Sequence, residues 1–161
     1  YALVSFQRKP RHPANPLYWQ LIPFLCLLGL GVAGYLAYVE ITQVDAVCGL
    51  VGDCNAVHQS KYARLFGILP IGVLGVIGYT LILLSWLPAG KPARRKTAYA
   101  NFILFSLAAF GVLFSIYLTF LEPFVIGATC AWCLASAIIM TAIFWLSLPT
   151  AKLAWKTLQS R

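Results

Sequence analysis

Four of the five cysteines in this 161-residue chain form two pairs, Cys48 with Cys54 and Cys130 with Cys133, each set where an apolar run meets its flanking loop. Paired thiols carry two electrons for each disulfide made or broken and exchange them through a mixed disulfide. The stronger signal is Cys130-Ala131-Trp132-Cys133. A C-x-x-C at the start of a helix sets its sulfurs one turn apart, with free backbone N–H groups beneath the first. The positive helix end favours the thiolate, the species that attacks a disulfide and leaves from one. The helix also carries Cys133 deeper than Cys130, so one thiol is expected to face water and the other a membrane-soluble oxidant.

Other readings of the same residues stand beside this one. A stapling disulfide across so short a segment gives little entropic stabilisation. A zinc site built from all four cysteines fits poorly, because the five residues between Cys48 and Cys54 do not make the usual tight knuckle, so no metal is expected. Taken alone, Cys48 and Cys54 also read as a loop-closing disulfide. Beside a second pair they read better as a shuttle whose thiol attacks the C-x-x-C disulfide. Cys26, roughly 20 Å from the outer end of its run at 1.5 Å per residue, reads as a small buried hydrophobe. His58 reads equally as a proton carrier near the loop and as a solvated imidazole.

The elements that position these sulfurs are membrane helices. With 61% hydrophobic and 10% charged residues, the composition excludes a soluble domain. At about 20 residues per crossing, four runs are long enough to span: 17–39, 65–87, 97–121 and 124–148. The first is too long for a secretory leader and is expected to stay as a helix. No repeat or linker divides the chain, so residues 1–161 are read as one membrane-embedded domain. The expected fold is all-α, a four-transmembrane-helix bundle with a structured exterior loop.

Orientation follows from the cations, which short cytoplasmic segments retain. Arg8, Lys9 and Arg11 precede the first run, Lys91, Arg94, Arg95 and Lys96 lie between the second and third, and Lys152, Lys156 and Arg161 follow the fourth. Both termini are therefore expected in the cytoplasm. The loop from Glu40 to Arg64 and the turn from Glu122 to Thr129 then face outward with all four paired cysteines and all four acids. Disulfides persist in such compartments. The net charge of +8 is gathered where the chain meets anionic lipid, which leaves no call for nucleic acid. Within the first loop, residues 55–64 are expected to hold a short helix capped by Asp53 or Asn55. The glycines of the second run, Gly67, Gly72, Gly75 and Gly78, read as close-packing sites between helices.

The ordered combination of Cys48, the run Cys54-Asn55-Ala56-Val57-His58-Gln59-Ser60-Lys61-Tyr62, then Leu65-Phe66-Gly67 and Pro70, a helix hairpin, and finally Cys130-Ala131-Trp132-Cys133 resembles the vitamin K epoxide reductase family, its bacterial homologues most of all. The resemblance covers nearly the whole chain. It implies a four-helix bundle around a quinone (ubiquinone, menaquinone or phylloquinone) in the bacterial inner membrane, with the cysteine pairs on the periplasmic side. It further implies that Cys133 lies nearest the quinone, that Cys54 attacks Cys130, and that Cys48 meets a thioredoxin-like partner first. Ser60 matches the family's loop serine, a support of the loop helix or active site. Members of this type oxidise the partner's thiols and pass electrons to quinone, so that disulfides form. The partner is either a separate protein or a fused domain outside these residues.

Animal members carry a tyrosine four residues after the second cysteine of the C-x-x-C, where this chain has Ala137. That counts against epoxide reduction and leaves quinone reduction intact. Phe66, Phe114, Tyr117 and Trp132 are candidate walls of a quinone pocket, and each reads equally as helix packing. A different quinone-linked disulfide-generating protein of proteobacteria shares the four-helix layout, but its C-x-x-C lies in the first exterior loop. The remaining alternative is a non-enzymatic four-span scaffold or transporter subunit with structural disulfides. A transporter usually carries ionisable groups within its spans, and these runs offer little beyond Asn101, Thr80 and Ser115.

Overall fold

A computed structural model describes residues 16–48, 53–58, 64–65, 68–89 and 95–159. In chain order the elements are α1 (Pro16–Thr42), α2 (Cys54–His58), β1 (Arg64–Leu65), β2 (Leu69–Pro70), α3 (Ile71–Ala89), α4 (Arg95–Leu121), a π-helical turn (Glu122–Ile126) and α5 (Ala131–Gln159). Among the described residues, four helices are long and apolar enough to cross a membrane, and they match the four runs read from sequence. The protein is an all-α four-helix membrane bundle.

Each span packs against its neighbours in a closed ring: α1 on α3, α3 on α4, α4 on α5, and α5 back on α1. Short links between apolar helices favour this arrangement, because every backbone polar group must be satisfied within the bilayer and helices satisfy their own. The inner face holds Ile22, Cys26, Ala33, Tyr79, Ile82, Leu104, Ala108, Met140 and Ile143. Phe24, Leu27, Leu84, Phe110, Leu113, Ile116 and Trp145 are exposed on the outside, as a surface solvated by lipid requires. Cys26 is fully buried in this core, the small-hydrophobe role expected of it.

Helix ends differ from the expected ones for local reasons. The first span runs past Val39 to Thr42 and stops where Gln43 adopts a left-handed conformation, φ 56°. The second begins at Ile71 instead of residue 65, since Arg64 pairs with Pro70 and Leu65 with Leu69 in a two-residue antiparallel ladder. Proline disfavours a helical Leu69 before it and suits a helix start after it. The third starts slightly early, at Arg95. The fourth begins at Ala131, not 124, because residues 122–126 continue α4 as a π turn that Gly127 ends at φ 76°. At its other end α5 passes through Pro149 to Gln159.

Close packing is sharpest where α1 meets α3. A Cβ on Gly72 would collide with the backbone of Ala37 and Leu36, and one on Gly75 would come 3.1 Å from the Ala33 methyl, whereas Gly78 faces open space. The close-packing reading of these glycines therefore holds for the first two. Gly67 lies outside the described residues.

Candidate functional site

The outer end of the bundle carries a second cluster of buried residues: Val39, Ala46, Cys54, Val57 and Cys130, with Tyr35, Cys48, Ile126, Ala128, Trp132 and Cys133 packed on it. Both cysteine pairs meet there. Cys48 and Cys54 form a disulfide with a Cα–Cα separation of 5.9 Å, while Cys130 and Cys133 are in the reduced, thiol form. Cys54 and Cys130, one from each pair, are both 0% exposed.

Local chemistry explains how each sulfur is held. Asp53 precedes α2 and its Oδ1 accepts the Ala56 N–H at 3.1 Å, so Asp53 is the cap. Asn55 has a different task, its Oδ1 accepting the Ala46 N–H at 2.7 Å and tying α2 to the preceding strand of loop. That loop is pinned from below. The Val47 N–H donates to the Tyr35 hydroxyl at 2.9 Å, and the Trp132 indole N–H donates to the Val47 carbonyl at 3.0 Å. Tyr35 and Trp132 stack at a tilt, with centroids 5.0 Å apart. The Cys54 N–H donates to Cys48 Sγ at 3.2 Å.

Cys130 sits immediately before α5, and its Sγ accepts the Cys133 N–H at 3.4 Å. The helix N-terminus therefore does address the first sulfur, as the C-x-x-C spacing predicts. Exposure departs from expectation at Cys130. Cys130 was expected to face water, yet it is fully buried while Cys133 is only half-buried. The reason is tertiary: the loop and α2 fold over the start of α5 and cover the outer thiol.

Two acids also depart from the loop positions expected of them. Glu40 and Glu122 are each 3% exposed. Glu40 lies in the last turn of α1, and its Oε2 accepts the Gly72 N–H at 2.7 Å, placing a carboxylate on the N-terminus of α3. Glu122 opens the π turn, and its Oε2 accepts the Cys130 N–H at 2.9 Å. The reading from sequence missed both. The available signal was an acid inside otherwise apolar runs, such as Leu121-Glu122-Pro123-Phe124-Val125, since an ionisable group at membrane depth needs a partner.

The candidate quinone walls divide between two places. Phe114 and Tyr117 are in ring contact on α4, 6.4 Å between centroids, and Phe114 also stacks on Phe110 at 6.3 Å. Tyr117 is 54% exposed on the outer surface. Trp132 instead joins Tyr35 and the loop. Phe66 and Ser60 lie outside the described residues. Below the thiols, the buried Tyr79 hydroxyl meets both the carbonyl and the hydroxyl of Ser136 at 3.0 Å, one helical turn beyond Cys133. Among the described residues no His, Cys, Asp and Glu group could hold a metal ion.

Residues 20–148 match the vitamin K epoxide reductase family profile, a stretch that reaches into all four spans and includes both cysteine pairs. The chain belongs to the vitamin K epoxide reductase family. Its curated relatives include the thiol-disulfide oxidoreductase LTO1 of Arabidopsis thaliana, 31% identical over 124 residues. The match covers 74% of this chain and 33% of the plant protein, so the chain spans about a third of that relative's length. Family membership accords with the resemblance read from the loop pair and the late C-x-x-C. In this member the two couples share one buried cluster at the end of the bundle.

Proposed function

We propose that the chain is a membrane thiol-disulfide oxidoreductase that oxidises a thioredoxin-like partner and passes two electrons to a membrane quinone, supporting disulfide formation. The observation that carries this reading is the burial of Cys54 and Cys130 in one cluster, which joins the loop couple to the C-x-x-C couple. In the proposed relay, partner thiols reduce the Cys48–Cys54 disulfide. A Cys54 thiolate then attacks Cys130 of the oxidised inner pair, and Cys133 leaves as a thiolate. Cys48 next attacks Cys54, which restores the loop disulfide and leaves the inner pair reduced.

The site suits a flat, apolar electron acceptor. Cys133 stands half-buried at the head of an apolar span, with the Trp132 and Tyr35 rings packed in the same cluster. These residues would hold the quinone, which supplies a two-electron sink regenerated by respiration. The distribution of basic residues supports an orientation with both termini in the cytoplasm and the couples on the periplasmic side of a bacterial inner membrane. Ser60, six residues after Cys54, supports the loop in this reading. Relationship to a protein named as a thiol-disulfide oxidoreductase supports the same chemistry.

The test is rapid thiol trapping and mass mapping of disulfides in single-cysteine variants, with a reduced thioredoxin-like protein as donor and a short-chain ubiquinone or menaquinone as acceptor. Cys133→Ser is expected to abolish quinone reduction and to accumulate a Cys54–Cys130 bridge. A Cys48–Cys54 bond that persists unchanged in every variant during turnover would refute the relay.

A further inference from the structure

The turn between the third and fourth spans holds a carboxyl group where water is excluded. Its main chain is fixed, because the Glu122 carbonyl accepts from the Gly127 and Ala128 N–H groups at 2.8 and 3.2 Å. Its side chain reaches the C-x-x-C at two points. Oε2 accepts the Cys130 N–H at 2.9 Å, which sets the carboxyl within reach of the Cys133 thiol, whose stronger neighbour is Cys130. Burying an ionisable carboxyl is costly. Capping one N–H needs only a neutral amide, so what glutamate adds over glutamine at this position is the capacity to take up a proton.

We propose that Glu122 is the proton acceptor of the Cys130–Cys133 pair, taking the Cys133 proton as the disulfide closes. The proposal deepens the redox reading above and rests on it. Closing the pair forms one S–S bond and breaks two S–H bonds, so two electrons and two protons leave. Both electrons go to the oxidant, which is the membrane quinone or, in the test below, a small disulfide. The Cys133 proton passes to the Glu122 carboxylate and on to the reduced oxidant. The Cys130 proton is released to water as its thiolate forms at the helix end, and the oxidant takes its second proton from that pool. Among the described side chains, the ionisable groups on the elements packed against this turn are Cys130 and Cys133 at the head of α5, disulfide-bonded Cys54 on α2, and, nearest on α4, the outward-facing Tyr117.

The experiment isolates the inner pair. The full chain carrying Cys48→Ser and Cys54→Ser is reduced in detergent without quinone and closed with oxidised glutathione, and closure is followed by acid quench and thiol alkylation. Glu122→Gln keeps an oxygen to accept the Cys130 N–H. It is expected to close on the order of 10²-fold more slowly near neutral pH, the usual loss when a general base is removed. That deficit should shrink as pH rises and hydroxide replaces the carboxylate, and Glu122→Asp should lose less. Closure of Glu122→Gln at the parent rate overturns the proposal. So does an equal slowing at every pH with Glu122→Asp equally slow, the signature of a purely structural cap. A wild type that reduces no quinone, yet keeps the Glu122 dependence of closure, would remove the acceptor assigned above and leave the proton role standing.

Discussion

The two buried clusters of this protein are built in opposite ways. The inner one, around Tyr79, Cys26 and Leu104, is made by long apolar helices meeting along their lengths. The outer one, around Cys54 and Cys130, is made of short pieces of chain: an extended loop, a five-residue helix and a π turn. A helix of five residues has no stability of its own in water. It is held by a disulfide and by side chains reaching backbone groups, namely Asn55 to Ala46, Asp53 to Ala56, and Trp132 to Val47. Packing fixes the inner cluster in one arrangement, whereas the outer one depends on a disulfide and a few side-chain hydrogen bonds. Rigid support and a disulfide-held cap are thereby separated along the bundle axis.

The difference is sharpest under substitution. Gly72→Ala attacks the rigid half, since the new methyl meets the α1 backbone beside the Glu40 cap. An overpacked site of this kind costs about 1–3 kcal/mol, and thermal unfolding in detergent should show it as a clear fall in midpoint. Gly111→Ala is the control, because its methyl meets only the flexible end of Met140 and should cost less.

Tyr79→Phe removes a buried hydroxyl from Ser136 and is expected to cost about 1 kcal/mol. The loss should appear in global unfolding and leave the Cys48–Cys54 bond as readily formed as before. If it slowed loop disulfide formation instead, the two clusters would be coupled more tightly than their construction implies. The smallest global effect is expected from Asn55→Ala. It frees the Ala46 N–H and loosens the loop by about 1 kcal/mol or less. Hydrogen exchange at Ala46 and Val47 should accelerate while the unfolding midpoint holds, as expected of a locally opening unit.

Much of the bundle was legible in the sequence because lipid imposes a single rule on every span, and long uncharged runs obey it visibly. Helix ends were less legible. Leu65 and Leu69 sit in an apolar run that reads as helix, and only their pairing with each other beside Pro70 sets them in a ladder. At the outer cluster, the pairing of Cys48 with Cys54 and the capping role of Asp53 are legible from type and spacing. Trp132 reads equally as a pocket wall and as helix packing, and the structure pins it to Tyr35 and Val47. The water exposure expected of Cys130 is not found, because helix direction orders Cys130 outside Cys133 while exposure depends on what folds over them.

The sequence by itself determined the membrane setting, the number of spans and the identity of the sulfur couples, because hydropathy and residue type are carried by the chain at each position. Only the tertiary structure decided which sulfurs share a cluster, which are covered, and which acids leave solvent. Those properties arise from segments distant in the chain meeting at one end of the bundle: Glu122 reaches Cys130, Glu40 reaches Gly72, and the loop closes over α5. No local pattern of residues encodes such meetings, since burial and hydrogen bonding are properties of neighbours in space.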